Sequence, residues 1–326
     1  MLVKCKMALK KRMKIITFLL LVVGCWTLNA MDVEFPLIQS LSYFPYSDHD
    51  TLFKNRWRVS LIMYYSNIYM FDYERTTVND METLSTTLGL GYGLTDRITL
   101  EFYYRRMFAF GGLMDGLIIN FHDLFGLSEG GRNDYPRNVV NYRYKDAFSY
   151  DSNTTGQSPL IFAVLGNIYQ KKNFYLNGRV ALGLPISSKP GFSGNKSFMT
   201  FGLILLYKGK NFSIDFSNHV SLLKNPNWLT EEDLKKRVFH SEIRMNYKRL
   251  FGGFLYKSTP FRMNDLSNAA YQVYFGYKIW KYFELSLIEE FPPMDTTPDV
   301  SFNLRIKLGG LGSRADKPQQ KRDIEH

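Results

Sequence analysis

Twelve short stretches of this chain alternate between apolar and polar residues. In the last stretch the apolar positions are Val300, Phe302, Leu304, Ile306 and Leu308, and the intervening polar positions are Ser301, Asn303, Arg305 and Lys307. Side chains of an extended strand point alternately to its two faces. Each stretch therefore predicts a β-strand with one apolar face and one polar face.

The connections between the predicted strands alternate in length. Short polar turns lie near residues 95, 171, 209, 248 and 280. Longer connections occupy about 69–82, 109–157, 185–196, 221–237, 258–268 and 291–298. Bacterial outer-membrane barrels have short periplasmic turns and long outer loops. The sequence thus predicts an all-β fold, an antiparallel transmembrane β-barrel of about 12 strands over 57–308. A soluble periplasmic β-sandwich is the alternative, because it would show the same period.

The amino terminus predicts export. Six basic residues precede an apolar run from Ile15 to Trp26, a length typical of a signal-peptide core. We therefore expect a signal peptide over 1–30, cleaved after Ala30, and location in the outer membrane of a diderm bacterium. The sequence Val-Val-Gly-Cys ending at Cys25 also resembles a lipobox, so lipidation of Cys25 is an alternative to that cleavage. Residues 31–56 are predicted to form an irregular lead-in and 309–326 a polar tail.

Removal of the leader changes the composition. It takes six of the 41 basic residues and none of the 30 acidic ones, which leaves 35 against 30. The overall basicity is therefore largely a property of the leader, and it does not predict a nucleic-acid partner. Both cysteines, Cys5 and Cys25, also lie in the leader. No later stretch has the 18 or more consecutive apolar residues of a transmembrane helix, so strands would have to cross a membrane.

The predicted inward faces carry charges of both signs. The candidate lumen-lining residues are Arg58, Arg97, Glu101, Arg105, Arg179, Asp215, His219, His240, Glu242, Arg244, Glu284, Arg305 and Lys307. Opposite charges inside a wall of low dielectric constant should form ion pairs, and any excess would bias which ions pass. A lumen filled by salt bridges and a conducting pore both fit this pattern.

One long connection departs from the strand pattern. Between Gly111 and Leu127 the apolar residues recur at helical spacing, which predicts a short helical insert at about 112–126, after the third strand. This helix could plug the lumen, lie across its mouth or rest on the outer-leaflet interface. The plug or lid candidates are Leu113, Leu117, Ile118, Phe121, His122, Asp123, Phe125 and Arg132.

The same region carries a resemblance to known proteins. The run from Gly111 to Pro136, the strand that begins Trp57-Arg58-Val59-Ser60-Leu61 and the turn Tyr92-Gly93-Leu94 resemble an uncharacterised family of exported bacterial proteins, a domain of unknown function. The resemblance covers about 35–310. It implies an outer-membrane β-barrel and supplies no catalytic residues.

Catalytic and metal-binding alternatives are weaker. Asp115, His122, Asp123, Glu129 and Asp134 lie close in sequence, but their spacing is not diagnostic of a metal site. A phospholipase is also conceivable, because the stretch Ser217-Asn218-His219 and Ser241 supply a hydroxyl and a base. The residue order does not match such enzymes. We predict no enzyme activity, no cofactor and no metal.

The sequence favours a pore or channel for small solutes, partly closed by the connection 109–157. The alternative is a non-conducting barrel that serves as a structural scaffold or binds partners at the surface. The expected partners are outer-membrane lipid, the barrel-assembly machinery and small solutes of unidentified chemistry.

Overall fold

The computed structural model describes residues 49–71, 76–125, 136–229, 234–258, 269–280, 282–291 and 300–311. The predicted leader with Cys25, the lead-in before residue 49, Arg132 and the tail from residue 312 lie outside these ranges. The strands are β1 (Trp57–Phe71), β2 (Thr77–Gly93), β3 (Ile98–Phe110), β4 (Asn141–Tyr144), β5 (Phe148–Tyr150), β6 (Thr154–Gln157), β7 (Leu160–Lys171), β8 (Phe174–Leu184), β9 (Phe198–Lys208), β10 (Phe212–Leu222), β11 (Arg237–Tyr247), β12 (Leu250–Ser258), β13 (Ala269–Trp280), β14 (Phe283–Phe291) and β15 (Val300–Leu311). One helix, α1 (Met114–Phe125), follows β3.

Twelve of these strands form one closed antiparallel ring. The ring contains β1, β2, β3 and β7 to β15, each paired with its neighbours in that order. It closes where β1 pairs with β15, so that Leu61 lies opposite Ile306 on one side and Leu88 on the other. A closed ring has no free edge strand. The prediction of a 12-stranded antiparallel barrel is confirmed, and a two-layered sandwich is not formed.

The three short strands extend the wall beyond the ring. β4 pairs with Thr77–Asp80 of β2, beyond the point where β3 ends. β6 pairs with Arg106–Ala109 of β3, and β5 pairs with β4. The long connection between β3 and β7 thus contributes strands of its own to the rim.

The two faces of the wall differ as the alternation predicts. On β2, Ser85 and Thr87 are buried inside, while Leu88 is exposed outside. Large apolar side chains remain exposed around the outer face; Leu203 is 49% exposed and Phe275 63%. Soluble proteins rarely expose apolar surface on this scale, whereas lipid covers it in a membrane barrel.

The predicted lengths of the connections are correct at the short turns and wrong at one long connection. The turns at 172–173, 209–211 and 248–249 are short. The predicted loop 69–82 is mostly strand, because β1 continues to Phe71 and β2 begins at Thr77. The polar residues that interrupt the alternation here, such as Glu82, lie on the outward face but are buried. No helix in the described ranges is long and apolar enough to span a bilayer.

Candidate functional site: the barrel lumen

A carboxylate held between two guanidinium groups lies inside the wall. Glu101 on β3 accepts a hydrogen bond from Arg58 Nη2 at 2.9 Å and forms an ion pair with Arg179 Nε at 3.1 Å. Arg58 and Arg179 come from β1 and β8, so the group ties three strands together across the lumen. The side chains of Glu101 and Arg179 are fully enclosed, and that of Arg58 nearly so. Burial strengthens such pairs but makes the loss of one partner costly.

A second group of the same kind lies on another part of the wall. Glu284 on β14 is 3.4 Å from Arg244 Nη2 and 3.6 Å from Arg305 Nη1. Lys278 Nζ lies 3.9 Å from the other oxygen of the same carboxylate. Nearby, the Tyr274 hydroxyl donates to Glu242. Both carboxylates, Glu101 and Glu284, thus have at least two cationic neighbours.

Cations outnumber carboxylates on the inward face. Away from the rim, the inward-facing cations of the described wall are Arg58, Arg105, Arg179, Arg244, Lys257, Lys278, Arg305 and Lys307. The inward-facing carboxylates among the described side chains are Glu101, Asp215, Glu242 and Glu284. A rim pair, Lys208 and Asp50 at 2.6 Å, is neutral as a unit. Eight cations and four carboxylates therefore face inward among the described side chains of the wall.

Three histidines lie beside the charged group around Glu101. His219 on β10 lies directly opposite His240 on β11, with ring centroids 5.6 Å apart. His49 Nδ1 lies 3.6 Å from Asp215 Oδ2 on β10. Within the described ranges, however, no three or more His, Cys, Asp and Glu side chains are arranged to hold a metal ion. Ser217 and His219, considered above for a phospholipase, both face the lumen and are therefore turned away from lipid.

The segment 49–56 occupies the end of the lumen where the short turns lie. The His49 carbonyl accepts a hydrogen bond from Asn177 Nδ2 at 2.5 Å, and Leu52 N donates to Thr99 Oγ1 at 2.7 Å. Asn55 N donates to the Gly93 carbonyl at 2.8 Å. Asn177 and Thr99 face inward, so these bonds hold the segment inside the ring.

An aromatic cluster, here called the cap, lies at the long-loop end of the ring. It consists of Tyr142, Tyr144, Phe148, Tyr150, Phe192 and Trp228. These residues come from β4, β5 and the connections 185–197 and 223–236, and they pack against inward-facing wall residues. The Phe192 ring is fully buried and meets Tyr142 edge-on at 5.5 Å. Edge-to-face pairs of this kind are favourable beyond their buried area.

Polar contacts hold the cap together. The Tyr142 hydroxyl donates to the Gly191 carbonyl at 2.6 Å. Lys189 Nζ lies 5.0 Å above the Tyr150 ring and 5.3 Å above the Phe192 ring. Burial raises the pKa of the Tyr142 phenol well above its ordinary value and lowers the pKa of Lys189. The cap is therefore a small hydrophobic core at the mouth of the barrel, and it is built from the connections between strands of the ring.

The helix α1 lies outside the wall, which corrects the prediction of a helical plug. Asp115 Oδ1 accepts a hydrogen bond from Asn67 Nδ2 at 3.0 Å, and Met114 N donates to Glu82. Asn67 and Glu82 are paired across β1 and β2 and share the outward face with Tyr65. A membrane strand needs about 9–11 residues, so Asn67, well along β1 from Trp57, lies near the outer edge of the apolar band. The loop therefore places its helix against the outer face and its aromatic strands in the mouth.

Most of the predicted plug residues belong to α1 or lie next to it in the chain. Leu113 is 82% exposed, and Asp123 is exposed as well, so neither fills the lumen. Leu117, Ile118, Phe121, His122 and Phe125 lie in α1. Leu124, in the same apolar stripe, is 77% exposed, whereas Met114 and Ile119 are buried. Sequence periodicity identified the helix but not the face that packs.

The predicted lumen residues lie on the inner wall with one exception. Arg97 is exposed in the turn 94–97, because β3 begins only at Ile98 and the side chain lies beyond the end of the wall. The buried members are Arg58, Glu101, Arg179, Asp215, His219, His240, Glu242, Arg244 and Arg305, and the half-buried ones are Arg105, Glu284 and Lys307. Lys257 and Lys278 were missed, although each shares the parity of inward residues on its strand.

Residues 31–309 match the family model described as a protein of unknown function, DUF3187. The chain belongs to the DUF3187 family. No curated protein matches it. Among solved structures, the COG4313 outer membrane channel from Pseudomonas putida F1 is similar, with a TM-score of 0.52 and 12% identity over 82% of this chain and 100% of that one. At that identity the likeness concerns the fold alone. OmpF of Salmonella typhi in complex with daunomycin aligns over 77% of this DUF3187 chain and 97% of its own, at 9% identity and a TM-score of only 0.32.

Proposed function

We propose that this protein is a gated outer-membrane channel for small polar solutes, and that the described conformation is its closed state. The observation that carries the proposal is the pair of buried charged groups in the lumen. Glu101 and Glu284 each lie among arginines well inside the wall. Burying ions costs several kcal/mol each, and apolar side chains of similar volume often stabilise a fold as well or better. A barrel that served only as a scaffold would gain little from such a lumen, whereas a path for polar solutes requires one.

Two segments that lie at the ends of the lumen support a gate. Neither belongs to the twelve-stranded ring. The segment 49–56 is hydrogen-bonded inside the ring at the short-turn end, and the cap packs against the inner wall at the long-loop end. Segments outside the hydrogen-bonded ring can move while the ring stays intact, because loop openings cost less than global unfolding. Opening would therefore require displacement of these segments only.

The apolar outer face and the leader support location in the outer membrane. Outward apolar residues such as Leu203 and Phe275 would face outer-membrane lipid, and the leader would deliver the chain for export. Insertion would depend on the barrel-assembly machinery, as for outer-membrane barrels in general. The short turns would then face the periplasm.

Single-channel recording in planar bilayers tests the proposal. We expect brief, rare openings from the intact protein and longer openings from a variant with Phe192→Ala and Trp228→Ala, which removes two rings of the cap. A matched control carries Phe201→Ala and Phe239→Ala, because these two phenyl rings lie on the exposed outer face. The control should behave like the parent protein.

The second candidate is a non-conducting scaffold. It is favoured by the low accessibility of the lumen, where Arg179 is only 2% exposed. Silence from both the intact protein and the cap variant, with each shown to be folded by heat-modifiable gel mobility, would reject the channel and favour the scaffold.

A further inference from the structure

We infer that α1 is an interfacial helix, whose exposed side lies in the outer leaflet of the membrane at the boundary between lipid headgroups and acyl chains. Its partner is membrane lipid. The contact is made by Leu113, directly before the helix, and by Leu124 near its end. The inference rests on the proposed location in the outer membrane, and it does not depend on the proposed channel activity.

The two leucines are the most exposed large apolar side chains among the described residues. Leu113 is 82% exposed and Leu124 77%, whereas Phe275 on the outer wall is 63% exposed. They are about three helical turns apart and therefore lie on the same side of the helix. Gly116 lies near this side, and a Cβ added there would meet no atom within 4 Å. No described part of the chain covers α1 at these three positions.

Buried hydrogen bonds fix the opposite side of α1 to the wall. The carboxylate of Asp115, a residue only 5% exposed, accepts hydrogen bonds from Asn67 Nδ2 at 3.0 Å and from Asn138 N at 2.7 Å. Met114 N donates to Glu82. Because Asn67 and Glu82 lie on the outward face of β1 and β2, the exposed leucines point away from the barrel into its surroundings.

The height of this attachment identifies the surroundings. Trp57 and Tyr92, with ring centroids 4.6 Å apart, mark the aromatic rim at the short-turn end. Asn67 follows Trp57 by ten positions on β1, which is about 33 Å along the strand. With a strand tilt of about 40°, this distance is about 25 Å along the barrel axis, the height of the apolar band in outer-membrane barrels. The attachment of α1 therefore lies at the outer boundary of that band.

A second aromatic rim lies beside the attachment. Phe110 stacks on Tyr65 and on Phe108, with ring centroids 5.9 and 5.1 Å apart, and all three residues are on the outward face. Such rings lie at headgroup level in membrane barrels. The chain passes from Phe110 through two glycines into α1, so the helix begins at this level. Asn120 and Asp123 are also exposed, and a surface that mixes leucines with polar residues suits the boundary better than the acyl interior.

Quenching of a fluorescent label by lipid tests the contact. Cys5 and Cys25, both in the leader, are replaced by serine, and bimane is attached to Leu124→Cys, Leu203→Cys or Asn227→Cys. Leu203 lies on the outer wall, and Asn227 is exposed in a connection at the long-loop end. In phosphatidylcholine vesicles, acyl bromines near the headgroup should quench the label at 124 by about half, and bromines near the chain ends should quench it less. The label at 203 should show the reverse order, and the label at 227 should respond only to aqueous iodide.

The outcomes separate the helix from the barrel. Quenching at 124 by iodide alone, with lipid quenching retained at 203, would overturn the inference and leave the barrel in the membrane. Protection at 124 from both quenchers would mean that protein covers this side of α1, which would also overturn it. Loss of lipid quenching at 203 would overturn the membrane location itself, whereas channel activity is measured separately by single-channel recording. If Leu124→Cys fails to fold, Leu113→Cys replaces it, with the same expected order of quenching.

Discussion

A single methyl group at Gly93 should release the segment 49–56 from the lumen. A Cβ added there would lie 2.8 Å from the carbonyl carbon of Phe53 and nearer still to its oxygen, whereas ordinary contact begins at 3.4 Å. The obstacle is backbone, so no side-chain rotation relieves it. The segment would have to move by roughly 1 Å, which would stretch the bonds between Asn55 N and Gly93 O and between Gly93 N and Arg56 O beyond hydrogen-bond range.

The expected size of the effect follows from the bonds that are lost. These two backbone bonds and the bond from Leu52 N to Thr99 Oγ1 each contribute about 1 kcal/mol net. The segment would therefore be released more easily by about 3 kcal/mol, which is roughly a 100-fold change in its open population. Gly91 provides the control, because the atoms nearest to a Cβ at that position belong to side chains and not to backbone, with Leu52 Cδ1 at 3.3 Å and Arg58 Nε at 3.5 Å.

Labelling of an introduced cysteine measures this release. His49 is buried, so His49→Cys should react slowly with a maleimide in the parent barrel and roughly 100-fold faster when Gly93→Ala is added. Gly91→Ala should leave the rate close to that of the parent. Slow labelling in the folded Gly93→Ala protein would refute the reasoning, because the segment would then tolerate a methyl group that the geometry forbids.

Three further predictions concern the cap, the helix and the wall. Tyr142→Phe removes the bond to Gly191 and should weaken the cap by about 1 kcal/mol. Burial raises the Tyr142 pKa in the folded protein, so its contribution to stability is present below the ordinary value of 10.0 and falls as the pH rises above it. Protease protection of the cap should therefore drop at alkaline pH in the parent and less steeply in the variant; equal slopes would contradict this. Glu82→Ala should speed amide hydrogen exchange in α1 by about tenfold or more without loosening the ring, and unchanged exchange would show that Glu82 does not anchor the helix. Leu203→Arg, on the outer face, should destabilise the barrel in bilayers by about 2–4 kcal/mol, and an unfolding midpoint equal to that of the parent would mean that this face does not meet lipid.

The wall could be predicted from the sequence because its rule is local. A strand buries every second residue on one side, so the parity of Glu101 or Arg305 within its own strand was enough to place it inside. The error at Arg97 is of the same local kind. The alternation extends one residue before the start of β3, and nothing in the pattern marks where the strand begins.

The contacts of the segment 49–56 and of the cap could not be predicted, because they join residues far apart in the sequence. Asn177 and His49 are 128 residues apart, and no periodic pattern connects them. Two signals were nevertheless present. The connection after α1 contains Tyr142, Tyr144, Phe148 and Tyr150, and a loop in water does not require so many aromatic rings. Glu82 lies on a face that otherwise carries apolar residues, which indicates that another element covers it.

The position of the segment 49–56 has a consequence for assembly. The chain lies inside the ring immediately before Trp57, where the ring begins, and the last strand then pairs with the first. β15, the last strand of the ring, thus closes the wall around the segment that directly precedes the first strand. If this segment settles before that seam forms, the short-turn end of the ring already contains it when the wall is complete. Biogenesis and gating would then depend on the same few hydrogen bonds.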